Sequence, residues 1–172
     1  MALADADQVQ ILFPHWEIVR YLTKQVPWPY PPDGAYRFYR DVALPAVGRG
    51  DAWHWTLRLK DAPARLIGSI SLMRGEYENR GFWLGLPWQG RGLMYEACEV
   101  TTDYWFDVLQ FPVLRAHKAI ANVASRRISE KLGMRIAGAR TGTLSAPTGS
   151  QRAVLAETKA DLAAIEKEIK PH

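Results

Sequence analysis

A strand, a tight turn and a helix follow one another directly in residues 81–94, which read Gly-Phe-Trp-Leu-Gly-Leu-Pro-Trp-Gln-Gly-Arg-Gly-Leu-Met. Gly90 and Gly92 let the backbone of the turn approach a ligand without interference from a Cβ atom. The helix that begins near Leu93 directs unpaired N–H groups and the positive end of its dipole at the same place. The sequence therefore predicts an anion-binding cradle, and a phosphate group is its natural ligand.

The composition indicates one compact domain without disulfides. A chain of 172 residues, 48% of them hydrophobic, is long enough for one core and short for two, so we predict a single domain over residues 1–172. Cys98 is the only cysteine, which excludes an intramolecular disulfide and favours a cytoplasmic protein. The N-terminus lacks the pattern of a signal peptide, and no run of about 18 apolar residues predicts a membrane span.

The charge pattern favours a small anionic ligand over nucleic acid. The net charge is +4 and the isoelectric point is near 9.3, but basic and acidic residues alternate along most of the chain. A metal ion is not expected, because the histidines are scattered without the spacing of metal ligands. These histidines are His15, His54, His117 and His172.

The first half of the chain predicts two helices and then an antiparallel meander. Apolar residues at helical spacing predict a short helix over residues 14–26, and the proline-rich residues 27–32 form either a rigid connection or a substrate-lining loop. Asp33 is a candidate cap for a second helix that runs to about Val47. Alternating apolar residues between turn signals predict three strands, over residues 52–59, 65–73 and 80–84.

The second half adds a helical crossover and a parallel strand. A strand over residues 112–119 follows the helix that begins near Leu93, so it should run parallel to the strand over residues 80–84. Three further groups of elements complete the prediction: a helix over residues 125–132, strands over 134–144 and 151–157, and a charged helix over 159–170. The predicted fold class is therefore α/β, with a mixed, mostly antiparallel sheet flanked by helices.

Two motifs at matching spacing carry a family resemblance. The segment Gln89-Gly-Arg-Gly-Leu-Met resembles the pyrophosphate-binding Gln/Arg-x-x-Gly-x-Gly/Ala motif of the GNAT superfamily of N-acetyltransferases. About 30 residues later, Asn122-Val-Ala-Ser-Arg-Arg-Ile-Ser-Glu-Lys-Leu-Gly-Met is similar to the Asn-x-x-Ser-x-x-x-x-x-Lys-Leu-Gly-Phe signature of the RimJ/RimL-like branch, the ribosomal-protein N-terminal acetyltransferases and their relatives. The resemblance covers roughly residues 5–157.

The resemblance implies the GNAT fold, in which two parallel strands splay apart and form a slot for coenzyme A. It also implies direct transfer of an acetyl group from acetyl-CoA to a protein N-terminus or a small amine in a ternary complex. A catalytically weak or inactive acyl-CoA-binding module is the alternative. A dinucleotide oxidoreductase is disfavoured because Tyr95 stands where a third glycine is required, and a kinase-type P-loop lacks its Gly-Lys-Ser/Thr.

The resemblance also implies roles for individual residues. Those expected to contact acetyl-CoA are Trp83, Leu84, Gly85, Gln89, Gly90, Arg91, Gly92, Leu93, Met94, Asn122, Arg126 and Lys131. The strand is expected to offer backbone groups to the pantetheine arm, and the turn to hold the pyrophosphate, with Gln89 as its brace. Ser125 matches a serine proposed to assist the leaving thiolate, or it caps its helix. Arg126 and Lys131 either reach the 3′-phosphate or cover the helix surface.

The sequence departs from the family pattern at three places. Relatives often carry a glutamate that acts as the general base at the position of Asn79 or Arg80. Glu78 is the nearest carboxylate here and is the candidate general base. Its alternative role is that of a solvated turn residue. Met94 stands where a small residue usually closes the turn. No strand pattern precedes the first helix, which would leave residues 53–55 at an exposed sheet edge and favour a homodimer.

Overall fold

A computed structural model describes residues 1–22, 26–143 and 150–158. The chain begins with a 3-10 turn, Leu3–Asp5, and then enters helix α1, Ala6–Leu12. Helix α2, Trp16–Val19, follows after a short break. Among these described residues no strand precedes α1, as the sequence leads one to expect.

The predicted helix over residues 14–26 is wrong in its extent. Helix α1 ends before Pro14, and α2 ends at Val19, while residues 23–25 lie outside the described part of the chain. The sequence did not reveal α1 because only two of its residues, Ala6 and Val9, are buried, so its apolar stripe is too short to detect.

The second predicted helix is present and is interrupted by a wider turn. It consists of α3 (Gly34–Phe38), a π-helical turn (Tyr39–Ala43) and α4 (Leu44–Gly48) in direct succession. The π turn lies immediately before the turn that contains a proline, which has no N–H to continue the α-helical ladder. Asp33 does not cap α3 with its side chain; its carboxylate pairs with Arg37 at 2.9 Å instead.

The predicted meander is confirmed as a three-stranded antiparallel sheet. Its strands are β1 (Ala52–Leu59), β2 (Ala62–Met73) and β3 (Arg80–Leu84), in the order β1-β2-β3. Trp53 pairs with Leu72 of β2, and the ladder is irregular near the β1–β2 turn. Within the described residues β1 is an edge strand, so its pairing with another chain stays a prediction.

The second half of the chain forms another sheet and two further helices. Helix α5 (Leu93–Asp103) continues into a π-helical turn (Tyr104–Val108), and helix α6 is Val123–Lys131. The strands are β4 (Arg115–Ala119), β5 (Met134–Thr143) and β6 (Ser150–Thr158), in the order β4-β6-β5 with antiparallel pairing. The closing helix predicted over residues 159–170 lies outside the described residues.

A buried residue, Asn79, which is 3% exposed, joins the two sheets. Its backbone N–H donates to the Arg115 carbonyl at 2.7 Å, and its side-chain oxygen accepts the Arg115 N–H at 2.8 Å. Its side-chain nitrogen donates to the carbonyls of Met73 (3.2 Å) and Gly75 (2.7 Å), and its own carbonyl accepts the Met73 N–H at 3.0 Å. One amide side chain therefore ties β4 to the end of β2 and the start of β3.

Beyond this joint β3 and β4 run in the same direction and separate. Three residues along each strand from the Asn79–Arg115 contact, the Lys118 ammonium lies 4.6 Å from the centre of the Phe82 ring, which shows that the strands are parallel. No hydrogen-bonded ladder connects them, because they belong to different sheets. The splayed parallel pair implied by the sequence is thus present, closed at Asn79 and open toward α5.

Asn79→Ala should lower the free energy of unfolding by about 2–4 kcal/mol, because it removes the partners of partly buried backbone groups in three segments. Gln110→Ala is the matched control, since Gln110 also donates to two carbonyls (of Phe106 and Asp107) but is exposed. It should cost less than about 1 kcal/mol. Urea unfolding measures both, and equal losses would contradict the assignment of Asn79 as the joint.

Candidate active site

Backbone groups along β3 alternate between the β2 side and the gap. Gly85 donates its N–H to the Ile67 carbonyl of β2 at 2.8 Å, whereas the Leu84 carbonyl, on the other side, accepts the Gln89 side chain at 2.8 Å. By this alternation Phe82 and Leu84 present backbone groups to the gap, and Trp83 presents its own to β2.

The strand residues expected to contact acetyl-CoA differ in the direction of their backbone groups. Those of Phe82 and Leu84 face the gap, whereas those of Trp83 and Gly85 face β2. The register of β3 on β2 decides this, and the sequence pattern of β3 alone does not contain it. Gly85 is required by packing, because a Cβ atom there would lie 2.9 Å from the Trp88 ring.

The glycine turn has the conformation that its sequence suggests. Gly90 and Gly92 have φ angles of +74° and +80°, which side-chain-bearing residues rarely adopt, and a Cβ atom at either would meet no protein atom within 4 Å. The space beside the turn is thus open. Gln89 ties the turn to the end of β3 through its bond to the Leu84 carbonyl, and the Arg91 side chain is exposed.

Helix α5 begins at this turn without a side-chain cap. Gly92 is the N-cap, and the first helical hydrogen bond runs from the Glu96 N–H to the Gly92 carbonyl at 3.1 Å. The N–H groups of Leu93, Met94 and Tyr95 therefore have no acceptor in the helix. The Met94 side chain is buried in the core under the sheet, so it does not obstruct the open side of the turn.

The second motif builds the start of α6. Asn122 is the N-cap, and its side-chain oxygen accepts the Ser125 N–H at 3.2 Å. The alternative that Ser125 caps the helix is therefore wrong, since Ser125 lies inside the first turn and is almost buried. Asn122 was assigned to the pantetheine arm, and its side-chain oxygen is engaged by this cap.

The two cations of α6 make contacts within the protein. Arg126 donates to the Ile120 carbonyl at 3.2 Å and pairs with Glu130 at 3.6 Å. The Lys131 ammonium lies 6.0 Å from the centre of the Tyr95 ring in α5, which places it on the side of α6 that faces the glycine turn.

An acidic residue and a histidine meet at the closed end of the gap. One carboxylate oxygen of Glu78 accepts the backbone N–H of His117 at 3.1 Å and lies 2.6 Å from its ring Nδ1. Glu78 is 39% exposed and His117 13%. Glu78 is therefore held against β4 by two contacts while part of its side chain stays exposed. His117 was read from the sequence as a strand residue, and nothing in the local pattern signals this contact.

Two cations are buried beside the same gap. Arg80 is 0% exposed and donates to the Thr102 hydroxyl (2.8 Å) and the Met134 sulfur (2.9 Å), while Lys118 is 7% exposed and lies against Phe82. Neither makes an ion pair within the described residues. Burial, and next the nearby Arg80 guanidinium, lower the pKa of Lys118 to about 8, and burial also lowers the pKa of Arg80.

A cavity of about 390 Å³ lies elsewhere, between α5 and the β1–β2 part of the sheet. Its lining is mostly apolar and includes Trp55, Leu57, Val100 and Tyr104. Of the predicted site residues only Leu93 reaches it. We place the site in the gap, because there the backbone groups, the glycine turn and the Glu78–His117 pair converge.

The described residues contain no cluster of three or more histidine, cysteine, aspartate or glutamate side chains placed to hold a metal ion. Nor does any described helix have the length and apolar character needed to cross a bilayer.

Comparison with known proteins finds one family and related folds. Residues 1–135 match the family described as acetyltransferase (GNAT) domain. The protein YdaF of Bacillus subtilis (strain 168), named as a ribosomal N-acetyltransferase, is 32% identical over 72 residues, which cover 40% of this chain and 39% of YdaF. The matched segment thus spans well under half the length of that relative.

Solved structures share the fold over nearly the whole chain. A ribosomal-protein-S5-alanine acetyltransferase from Vibrio fischeri matches with a TM-score of 0.77 and 19% identity, covering 94% of this chain and 91% of that one. A spermidine N-acetyltransferase from Vibrio cholerae, solved with CoA and spermine, matches with a TM-score of 0.75 and 17% identity, covering 91% and 90%. The predicted GNAT fold is confirmed.

Lys118→Met should change how stability depends on pH. Because the folded state releases this proton near pH 8 and the unfolded state near 10.5, the unfolded state binds more protons between these values, and stability should rise with pH there. Methionine should remove this rise and increase the free energy of unfolding at pH 7 by about 1–3 kcal/mol.

Urea unfolding between pH 7 and 10 measures the effect of Lys118→Met. Lys60→Met is the control, because Lys60 is exposed in the β1–β2 turn, and it should leave the pH dependence unchanged. A wild-type rise that persists in Lys118→Met would contradict the assignment.

Proposed function

Since the chain belongs to the GNAT acetyltransferase family, we propose that it transfers an acetyl group from acetyl-CoA to a primary amine. The observation that carries this proposal is the gap between β3 and β4, which is closed at Asn79, opens onto the glycine turn and has a titratable pair at its closed end. Family membership gives the class of reaction, and the gap gives the place where the donor would lie.

The residues around the gap fit the parts of an acetyl-CoA molecule. Phe82 and Leu84 offer backbone groups that have no partner strand, and amide groups of the pantetheine arm are complementary to them. The open turn at Gly90 and Gly92, with the free N–H groups at the start of α5, suits a pyrophosphate, and the exposed Arg91 adds positive charge. Acetyl-CoA supplies an activated acyl group as a thioester.

The other residues expected at the site are proposed to support acetyl-CoA binding and transfer. Gln89 braces the turn, Asn122 shapes the start of α6, and Arg126 and Lys131 lie on the helix nearest to α5, where a 3′-phosphate could pair with them. Ser125, in the first turn of α6, is proposed to donate a hydrogen bond to the leaving thiolate. Such help is typically worth about 10²-fold in rate.

The acceptor is proposed to be a protein N-terminus or a small amine. The fold relatives are named for both kinds, one for an alanine of ribosomal protein S5 and one for spermidine. The acceptor is proposed to approach from the face of the sheet opposite α5, because α5 packs against the other face. Homodimerisation and a cytoplasmic location stay predictions.

The alternative of a module that binds acyl-CoA without catalysis is not favoured. It was based on the missing glutamate at positions 79 and 80, and a carboxylate is nevertheless available at the closed end of the gap, from Glu78. We therefore retain catalysis as the proposed function.

The proposal is tested by calorimetric titration with acetyl-CoA, followed by measurement of thiol release with a panel of N-terminal peptides, polyamines and other small amines. We expect binding and turnover with at least one class of acceptor. Binding without turnover on any acceptor would return the binding-only alternative, and a failure to bind would refute both.

Gly92→Ala should weaken acetyl-CoA binding by at least about 10-fold, because the Cβ atom occupies the open side of the turn and the positive φ angle is strained by about 1–2 kcal/mol. Gly50→Ala is a matched control: Gly50 has φ +72° and equally open surroundings, but it lies before β1, away from the gap. It should lose similar stability and keep its affinity, as measured by calorimetry. Equal affinity losses in both variants would contradict the proposed cradle.

A further inference from the structure

We propose that His117 is the general base for the acceptor amine, that it accepts the proton at Nε2, and that Glu78 is a positioning residue that acts through it. This inference rests on the proposed function and specifies the proton path of the same site. It changes the role of Glu78 from direct base to partner of the base.

The hydrogen bonds fix which ring nitrogen carries the proton. The same oxygen of Glu78 receives the His117 backbone N–H at 3.1 Å and lies 2.6 Å from Nδ1. Since an ionised carboxylate can only accept, Nδ1 must carry a hydrogen, and this assignment follows from the network. In the neutral ring Nε2 is then an acceptor.

That acceptor is left without a partner. Nε2 of His117 is buried and forms no hydrogen bond with any residue that the structure describes. A buried acceptor without a donor is unfavourable, and most such atoms in folded proteins are satisfied. The group that would satisfy Nε2 is an N–H donor, and a primary amine is a donor of this kind. Nε2 therefore lacks a hydrogen-bond donor, and the amine substrate is a donor.

The position of His117 along the gap places it near the reacting end of the donor. The pyrophosphate seat at the glycine turn lies at the open end, so the arm must run toward the Asn79–Arg115 joint, where the strands close. The thioester end must therefore stop close to this joint. His117 lies two residues beyond Arg115 on β4, and Glu78 directly precedes Asn79.

His117 also lies on the correct face. Side chains alternate along β4, and the next residue, Lys118, contacts Phe82, whose ring packs against the α5 core. His117 thus lies on the opposite face, which it shares with Trp83 and the aromatic cluster under the N-terminal helices. The cations Arg80 and Lys118 belong to the α5 side, whereas the Glu78 carboxylate contacts the His117 ring.

The proposed step is direct transfer of the acetyl group from the thioester to the amine. The amine nitrogen bonds to the acyl carbon, the carbon–sulfur bond breaks, and the proton lost by the amine passes to His117 Nε2. The imidazolium is stabilised by the Glu78 carboxylate, and the thiolate leaves with the hydrogen bond assigned to Ser125 until it gains a proton from solvent.

The test uses the full chain with four variants: His117→Ala, His117→Asn, Glu78→Gln and the double variant that combines His117→Ala with Glu78→Gln. Asparagine keeps a donor toward Glu78 but lacks a basic nitrogen, so it separates positioning from base function. We expect His117→Ala and His117→Asn to lower kcat by about 10²- to 10³-fold while the acetyl-CoA Kd from calorimetry changes less than about 3-fold. Added imidazole should restore part of the activity of His117→Ala.

Glu78→Gln should lower kcat about 10-fold in the wild-type background and have little further effect in His117→Ala, since residues that act as a unit are not additive. Retention of kcat within about 3-fold by His117→Asn, or the lack of rescue by imidazole in a folded His117→Ala protein, would overturn the base assignment.

The experiment separates this inference from the proposed function. Turnover by the wild type together with an active His117→Asn refutes only the role of His117. A wild type that binds acetyl-CoA but acetylates no amine refutes both. Thermal unfolding verifies that each variant is folded, and where His117→Ala does not fold, His117→Asn alone decides.

Discussion

The gap in this protein depends on the side chain of Asn79. Two sheets meet at this residue. Its side-chain amide donates to carbonyls at the end of β2 and accepts the N–H of Arg115 in β4, in place of a regular strand ladder. Once the joint is made, β3 and β4 have no hydrogen bonds to hold them together and diverge. The backbone groups of Phe82 and Leu84 then face an opening, where the Leu84 carbonyl accepts the Gln89 side chain. Groups there without a protein partner require water or a ligand.

The two faces of the gap differ in charge and in the state of their polar groups. On the α5 side Arg80 and Lys118 are buried without carboxylate partners, which is unfavourable for stability and depresses the pKa of both. On the other face a carboxylate and a histidine are hydrogen-bonded to each other. The separation keeps the acid–base pair out of contact with the cations, although Glu78 is close enough to raise the pKa of Lys118 in part.

The strands and the glycine turn could be predicted from the sequence because their signals are local. Alternation gave β1 and β3 with their observed ends, and the positive φ angles of Gly90 and Gly92 follow from a turn that only glycine enters easily. Contacts between distant segments could not be predicted in this way. The register of β3 on β2 decides that the backbone groups of Phe82 and Leu84, and not those of Trp83 and Gly85, face the gap. The contact of Glu78 with His117 joins residues 39 positions apart.

The joint also explains why a carboxylate at position 79 would not serve this chain. The side-chain nitrogen of Asn79 donates to two carbonyls, and a carboxylate oxygen in its place would face them as a second acceptor. An acidic residue for proton transfer must therefore come from another position. Glu78 is the adjacent residue, and β4 itself holds its carboxylate through the His117 N–H. The closure of the gap and the placement of the acid–base pair thus depend on the same two short segments, residues 78–79 and 115–117. Any change that opens the joint therefore also displaces the pair.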